Sequence, residues 1–256
     1  RNDLEDYAPD AISCSYHNVV FYSKKFPNYS IHCWTNGLDF KNDISEIEKI
    51  SKINNVRMRG NASKLHLALS GLPSFNGVDE KDIGQRIVIS PTMQYLEQAF
   101  DYTKYQHCSD QLPMEITIPS IHDSSLAPEG HHVLSAIVNY TPYSLKEGWD
   151  EAKPVVLENV LNTLSQFAPG IKQQILHSEL LTPKDLEAEF GITGGHWHHG
   201  ELTFDQFLML RPLPGMAQYS SPIESLYICG AGAHPGGGLM GVAGRNAAVE
   251  LMMEES

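Results

Sequence analysis

Several features that mark well-known protein classes are missing from this sequence of 256 residues. No apolar run approaches the roughly 20 residues that a membrane-spanning helix needs, and the longest candidate, 133–140, has the length of a strand. Only 18 basic residues stand against 31 acidic ones, and the resulting net charge of −13 disfavours contact with nucleic-acid phosphates. We therefore expect no transmembrane segment and no nucleic-acid partner.

Motifs of several enzyme classes are also missing. The sequence contains no nucleophile elbow, no Walker A sequence and no paired-carboxylate signature. Its four cysteines show no CxxC spacing, which argues against a zinc knuckle or a dithiol redox pair. Scattered cysteines of this kind favour a reducing compartment. We expect a cytoplasmic location, with the mitochondrial matrix as the alternative.

The hydrophobic pattern predicts strands that alternate with helices. Predicted strands occupy residues 29–35, 64–70, 85–89, 115–119, 131–140 and 225–229. Predicted helices occupy residues 43–51, 91–104, 146–167 and 241–253, and a further short helix begins at Thr182-Pro183 with Asp185 near its cap. Such alternation predicts an α/β fold with α+β character.

The most informative stretch is the glycine-rich segment 226–248, LYICGAGAHPGGGLMGVAGRNAA. Glycines are needed where the backbone takes an unusual φ or lies against a ligand, and a helix start offers free N–H groups to an electron-rich ligand. Residues 236–241 formally satisfy GxGxxG, but the 15 residues that follow are too few for a complete dinucleotide-binding βαβ unit. The alternative is that these glycines only allow a helix to pack tightly on a strand.

This segment closely resembles the terminal motif of the phytoene desaturase-like FAD-dependent oxidoreductases. The resemblance covers about residues 50–253 and is densest from 178 onward. Further matching segments are 64–69 (KLHLAL), 126–133 (LAPEGHHV), 140–143 (YTPY), 168–170 (APG), 181–187 (LTPKDLE), Gly194-Gly195, Asp205-Gln206 and Arg211-Pro212. By this resemblance the chain is the C-terminal part of such a protein, without the N-terminal Rossmann segment.

The resemblance implies two domains. Residues 1–210 would form a mixed-sheet substrate-binding or cap region, of which 1–45 are poorly defined. Residues 211–256 would supply the terminal strand, glycine-rich loop and helix of a doubly wound FAD-binding domain. Arg211 would anchor either an acidic group or the glycine-rich loop.

The resemblance also implies a set of site residues. FAD would lie against Gly230, Ala231, Gly232, His234, Gly238, Leu239, Met240 and Gly241. The first three would lie near the pyrophosphate and the ribityl chain, and the last three would present backbone to the flavin ring. His199 is the candidate catalytic residue, on the substrate side of the flavin.

We therefore expect part of an FAD-dependent oxidoreductase that transfers hydride from an apolar small-molecule substrate to flavin. The chain alone is expected to be inactive and to bind FAD weakly or not at all, so a separate N-terminal FAD-binding segment and a homo-oligomer are expected partners. One alternative is a non-catalytic, oligomeric binding module that does not bind FAD. A second is a metal-dependent hydrolytic domain built on 195–200 (GHWHHG), although no obvious ligand set completes it and we expect no metal.

Overall fold

The chain divides into two compact units. The computed structural model describes residues 52–221, 226–238 and 241–254, together with the backbone of two short antiparallel strands, Ala11–Ile12 (β1) and Phe21–Tyr22 (β2). We name Gly60–Ala188 the sheet unit, and Arg1–Arg59 with Glu189–Ser256 the glycine-loop unit. The strand predicted at 29–35 and the helix predicted at 43–51 lie outside the described residues.

The sheet unit is built on one five-stranded sheet in the order β4-β5-β6-β3-β7. Its strands are Ala62–Leu69 (β3), Ile87–Ile89 (β4), Met114–Thr117 (β5), His132–Asn139 (β6) and Ile175–Leu181 (β7). The chain combines helices with this sheet and is therefore mixed α/β. All neighbours in the sheet pair antiparallel, so the prediction of a mixed sheet is wrong. A helix between two strands does not fix their relative direction, and here β4 and β5 are antiparallel neighbours although a helix joins them.

The described helices are Met93–Lys104 (α1), Trp149–Phe167 (α2), Ile171–Gln174 (α3), Pro183–Phe190 (α4) and Val242–Glu254 (α5). Short 3-10 turns occupy Glu80–Asp82, Pro119–Ile121, Ser124–Leu126, Thr193–Gly195, Phe204–Gln206 and Leu208–Leu210. Among these helices none combines the length and the apolar character needed to cross a bilayer.

Helix starts follow the capping chemistry of the sequence. The prediction for α4 is confirmed, because Asp185 N donates to Thr182 Oγ1 at 3.1 Å and Thr182 N donates to Asp185 Oδ2 at 2.8 Å. At α1 the predicted start is two residues early. Thr92 Oγ1 accepts from Tyr95 N at 3.1 Å, which makes Thr92 the cap and leaves Pro91 before the helix.

The core of the sheet unit lies on one face of the sheet. Leu65, Leu67 and Leu69 of β3 are at most 1% exposed, which confirms the alternation predicted for this strand. They pack with apolar residues of the neighbouring strands and of α2, namely Met114, Ile116, Leu134, Ala136, Val138, Val156, Val160 and Leu164. Burial of each large apolar side chain stabilises the fold by about 1.5–3 kcal/mol, so this face fixes the register of the sheet.

Strand β7 is not predicted by the sequence pattern. It lies at one edge of the sheet and pairs with β3 alone, from Lys64↔Leu181 to Leu69↔Ile175. Only Leu180 and Leu181 are buried, while Leu176 is 61% exposed, so the strand lacks the regular alternation that marks a half-buried strand.

The glycine-loop unit has its own small core, formed by Leu213, Met216, Tyr219, Tyr227, Ile228, Cys229, Ala233 and Ala247. Helix α5 confirms the helix predicted at 241–253. The strand predicted at 225–229 is reduced, over the described residues 226–229, to a bridge between Ser220 and Tyr227, with one bond from Ser221 N to Leu226 O at 2.9 Å and one from Ile228 N to Tyr219 O at 2.7 Å. A longer strand ladder would require more paired residues than the neighbouring segment 219–221 supplies.

Candidate functional site

We name residues 230–238 the glycine loop. Gly230, Gly236, Gly237 and Gly238 have φ between +69° and +96°, a conformation that L-residues rarely adopt. Gly237 N donates to Ala231 O at 3.1 Å and so closes the loop on itself. The glycines at these positions are therefore required by the backbone conformation.

Arg211 lies against the inside of this loop. Its side chain is buried, with 3% of the residue exposed, and Nε donates to Ala231 O at 3.1 Å. An added Cβ at Gly236 would overlap Arg211 Cδ and stand 2.8 Å from Nε. Glycine at position 236 therefore allows the loop to pass directly over the Arg211 side chain.

The other end of the Arg211 guanidinium bonds to a different part of the chain. Nη1 donates to Gln206 O at 3.3 Å, and Nη2 donates to His198 O. Both terminal nitrogens also lie 3.5 Å from Gly200 O. Within the described residues no carboxylate lies in ion-pair distance of this guanidinium, and burial lowers the pKa of Arg211. Of the two roles suggested by the sequence, the geometry supports the anchor of the glycine loop.

Backbone bonds join the glycine loop to the segment 206–211. Leu208 N donates to Pro235 O at 3.1 Å, and His234 Nδ1 lies 2.8 Å from Leu208 O. The peptide bonds before Pro212 and Pro235 are both cis. His234 therefore holds the loop to its neighbouring segment, which is a structural contact at a position predicted to bind the cofactor.

An ion-pair network holds the segment 201–206 to Arg57. The guanidinium of Arg57 donates to Glu201 Oε2 at 3.2 Å and to Asp205 Oδ1 at 2.7 Å, and these carboxylates raise its pKa. The buried Gln206 accepts from Arg57 N at 2.7 Å and donates to Arg57 O at 3.0 Å. No role for Gln206 follows from the sequence pattern, since a glutamine in a polar stretch gives no indication of burial.

Three histidines precede this network. The ring centroids of His196 and His198 are 6.0 Å apart, and burial lowers the pKa of His196 to about 4. Burial and the nearby Arg211 also lower the pKa of His198, so both imidazoles are neutral at pH 7. Across the described part of the chain, no group of three or more His, Cys, Asp or Glu side chains is placed to hold a metal ion. The alternative of a metal-dependent hydrolase therefore has no ligand set there.

His199, the predicted catalytic residue, lies beside the glycine loop. It has a left-handed backbone, with φ of 53°, and an added Cβ at Gly232 would lie 3.7 Å from His199 Cβ. The structure therefore brings His199 together with the predicted cofactor residues. Its catalytic role stays a prediction.

The predicted cofactor residues are grouped at the glycine loop and the start of α5. Ala231 is buried, whereas Gly238 and Gly241 are exposed. With respect to the described residues, an added Cβ at Gly241 or Gly244 would meet no neighbouring atom within 4 Å, so the first turn of α5 has an open side there. Leu239 and Met240 lie outside the described residues. FAD contact at these positions stays a prediction.

Helix α5 is held to the small core behind this open side. Ala247 is buried in that core, and Asn246 Nδ2 donates to the Tyr219 hydroxyl at 2.9 Å. Arg245 N donates to Gly241 O at 3.0 Å and so begins the helical bonding at Gly241. The start of a helix carries free N–H groups and a partial positive charge, both of which favour an electron-rich ligand.

Comparisons with known proteins identify relatives among oxidoreductases. Over 210 residues the chain is 38% identical to pyridine nucleotide-disulfide oxidoreductase domain-containing protein 2 from Rattus norvegicus, covering 78% of this chain and 36% of that protein. It is 28% identical over 167 residues to the lycopene-forming phytoene desaturase of Pantoea ananas, covering 63% of this chain and 33% of that enzyme. No protein-family model matches the chain.

Among solved structures, an oxidoreductase from Methanosarcina mazei is similar with a TM-score of 0.46 and 17% sequence identity. That similarity covers 83% of this chain and 38% of the other. The chain thus spans about a third of the length of the curated relatives that it matches.

Proposed function

The chain is homologous to part of the phytoene desaturase-like oxidoreductases, and from this relationship we propose that it supplies the substrate-binding region and the terminal FAD-binding elements of such an enzyme. The extent of the similarity to the longer relatives is consistent with their C-terminal part. As in the division proposed from the sequence, residues 1–210 would contain the substrate-binding region, and residues 211–256 would contribute the last strand, the glycine loop and α5 to the FAD-binding domain. In the structure residues 189–210 belong to the glycine-loop unit.

The observation that carries the proposal is the open side at the start of α5. Seven glycines, at 230, 232, 236, 237, 238, 241 and 244, lie in or beside the loop that leads into this helix, and Gly238 and Gly241 are exposed. A purely structural role in tight packing would place a neighbouring atom against Gly241 and Gly244. Among the described residues, no neighbouring atom lies within 4 Å of an added Cβ at either position, so tight packing does not account for these two glycines and they are free to face a ligand.

These residues fit one part of FAD. Gly230, Ala231 and Gly232 would lie along its pyrophosphate and ribityl chain, and Gly241 would present backbone to the flavin ring. When bound, FAD supplies the flavin ring that accepts hydride from the substrate. The free N–H groups at the start of α5 favour negative charge at the adjoining edge of the ring. His199, next to Gly232, would be the polar residue on the substrate side.

We assign substrate contact to the sheet face opposite the core of the sheet unit. Lys64 and His66 alternate with the buried leucines of β3 and are half-buried on this second face. Burial lowers the pKa of both groups, so the face is partly shielded from water. Ile137 and Val133 of β6 add apolar surface beside them. On this partly shielded face Ile137 and Val133 stand among polar side chains such as Ser135 and Glu179, and these two residues would offer the contact surface to an apolar small molecule.

The test is FAD binding by the chain together with the polypeptide that corresponds to the remainder of its relatives. We expect the two to form a yellow complex with flavin absorbance, and the chain alone to bind FAD weakly or not at all. Gly241→Ala should weaken FAD binding. Gly215→Ala is the matched control, because both glycines have positive φ and open space around an added Cβ. Colourless complexes, or equal loss in both variants, would contradict the proposal.

A second candidate function is supported by a specific surface. Six large apolar residues between positions 197 and 210 are exposed, at fractions from 39% to 100%, namely Trp197, Leu202, Phe204, Leu208, Met209 and Leu210. Exposed apolar side chains at this density favour a protein interface. The chain would then act as a non-catalytic binding module that forms oligomers. A stable oligomer in size-exclusion chromatography with light scattering, without flavin on mixing, would favour this function over the first.

A further inference from the structure

We infer that Arg211 is a positioning residue, whose guanidinium sets the shape of the glycine loop. The inference deepens the proposed function, on which it rests, because that loop is the surface offered to FAD. It concerns a side chain that lies beneath the loop and that would act through the loop backbone.

The first support is that one guanidinium joins three separate segments. Nε bonds to the carbonyl of Ala231 in the glycine loop, whereas the terminal nitrogens bond to carbonyls of His198 and Gln206. The planar guanidinium presents its donors in a fixed fork, so these carbonyls are held at set directions from one another. A lysine ammonium is a single point and cannot span the same carbonyls.

The second support is that two points of the loop depend on this one side chain. The carbonyl of Ala231 accepts from Arg211 Nε and also from Gly237 N, the bond that closes the loop. Gly236, between them, lies so close to Arg211 Cδ that an added Cβ would overlap it. Any displacement of the guanidinium therefore moves both Ala231 and Gly236.

The third support is the charge. A buried cation is costly, and buried guanidinium groups are usually paired with a carboxylate. Across the described residues Arg211 has only backbone carbonyls as partners, although an apolar side chain would fill the same volume without that cost. Packing alone does not account for an arginine here, whereas the fixed directions of its bonds do.

The experiment measures amide hydrogen exchange by mass spectrometry in Arg211→Lys, Arg211→Met and the unchanged chain. Peptides that contain Gly237 and Leu208 report on the loop, and those covering Ala62–Leu69 report on the sheet unit. We expect loop amides to exchange at least about tenfold faster in both variants, because charge-assisted bonds that hold the loop are lost. Exchange in Ala62–Leu69 should not change.

Met216→Ala is the control for general destabilisation, since Met216 is buried in the small core of the same unit, which also holds Ala233 of the glycine loop. It should speed loop exchange less than the two arginine variants do, because the bonds from Arg211 to the carbonyls stay in place. Loop amides that exchange as slowly in Arg211→Lys as in the unchanged chain would overturn the inference, because a positive charge alone would then be enough to hold the loop. Unfolding of the whole glycine-loop unit in both arginine variants would also overturn it, because Arg211 would then be a general packing residue.

FAD binding in the complex with the complementary polypeptide provides the second measurement. We expect Arg211→Lys to weaken FAD binding at least about tenfold, and Met216→Ala to weaken it less while the unit stays folded. Equal FAD affinity in Arg211→Lys and the unchanged chain would overturn the positioning role. If the unchanged complex binds no FAD, the proposed function fails, whereas the hydrogen exchange still decides whether Arg211 shapes the loop.

Discussion

Replacement of Gly236 by alanine tests how firmly the glycine loop rests on Arg211. At φ of +96° an alanine is strained, and its Cβ would overlap Arg211 Cδ and come within 2.8 Å of Nε. The guanidinium is fixed at both ends by carbonyls and cannot move aside without breaking those bonds. Gly215 is the matched comparison, because it has φ of +89° and an added Cβ there meets nothing within 4 Å.

The two substitutions should differ in cost by the size of the overlap. Gly215→Ala carries only the left-handed strain, about 1–2 kcal/mol. Gly236→Ala carries similar strain and, in addition, about 1–3 kcal/mol for forcing a methyl group into an occupied space. We therefore expect the free energy of unfolding to fall by about 2–5 kcal/mol in Gly236→Ala and by about 1–2 kcal/mol in Gly215→Ala.

Urea unfolding measures the loss of stability in each variant. Hydrogen exchange in each unit shows whether that loss lies in the glycine-loop unit rather than in the sheet unit. A double-mutant cycle with Arg211→Ala identifies the cause, because it removes Cδ, Nε and the guanidinium. In that background the cost of Gly236→Ala should fall to that of Gly215→Ala. Equal costs of the two glycine substitutions in the unchanged chain would refute the close packing of the loop on Arg211.

Two further predictions concern a titrating histidine and the core. Burial lowers the pKa of His196 from 6.5 to about 4, so the unfolded chain takes up the proton first, and stability should fall as the pH drops from about 6.5 to 4. The full pKa shift corresponds to about 3 kcal/mol, which partial exposure reduces to about 1–2 kcal/mol. Urea unfolding at pH 7 and at pH 4.5 measures this loss of stability in the unchanged chain, and the loss should be absent in His196→Gln. Leu67→Ala in β3, where the residue is 1% exposed, should cost about 2–5 kcal/mol in urea unfolding. Val88→Ala, at 58% exposure, should change stability by less than about 0.5 kcal/mol, and a similar loss in both would contradict the assigned core.

The site was only partly accessible from the sequence. The glycine-rich segment singled out the loop and the start of α5, because several glycines in a short span indicate an unusual backbone whatever surrounds it. The resemblance added His199, which lies next to Gly232. The sequence left two roles open for Arg211, and only the structure selected the glycine loop and placed Arg211 beneath Gly236, since the 24 positions between them carry no mark of contact.

The sequence by itself determined the local elements. The alternation of leucines fixed β3 and its buried face, and Thr182 with Asp185 fixed the start of α4, because side-chain period and capping act within a few residues. Tertiary structure alone decided the antiparallel direction of the sheet, the edge strand β7, and the partners of Arg211. Each of these depends on contacts between segments distant along the chain, and the energy of such contacts is set by the whole fold rather than by neighbouring residues.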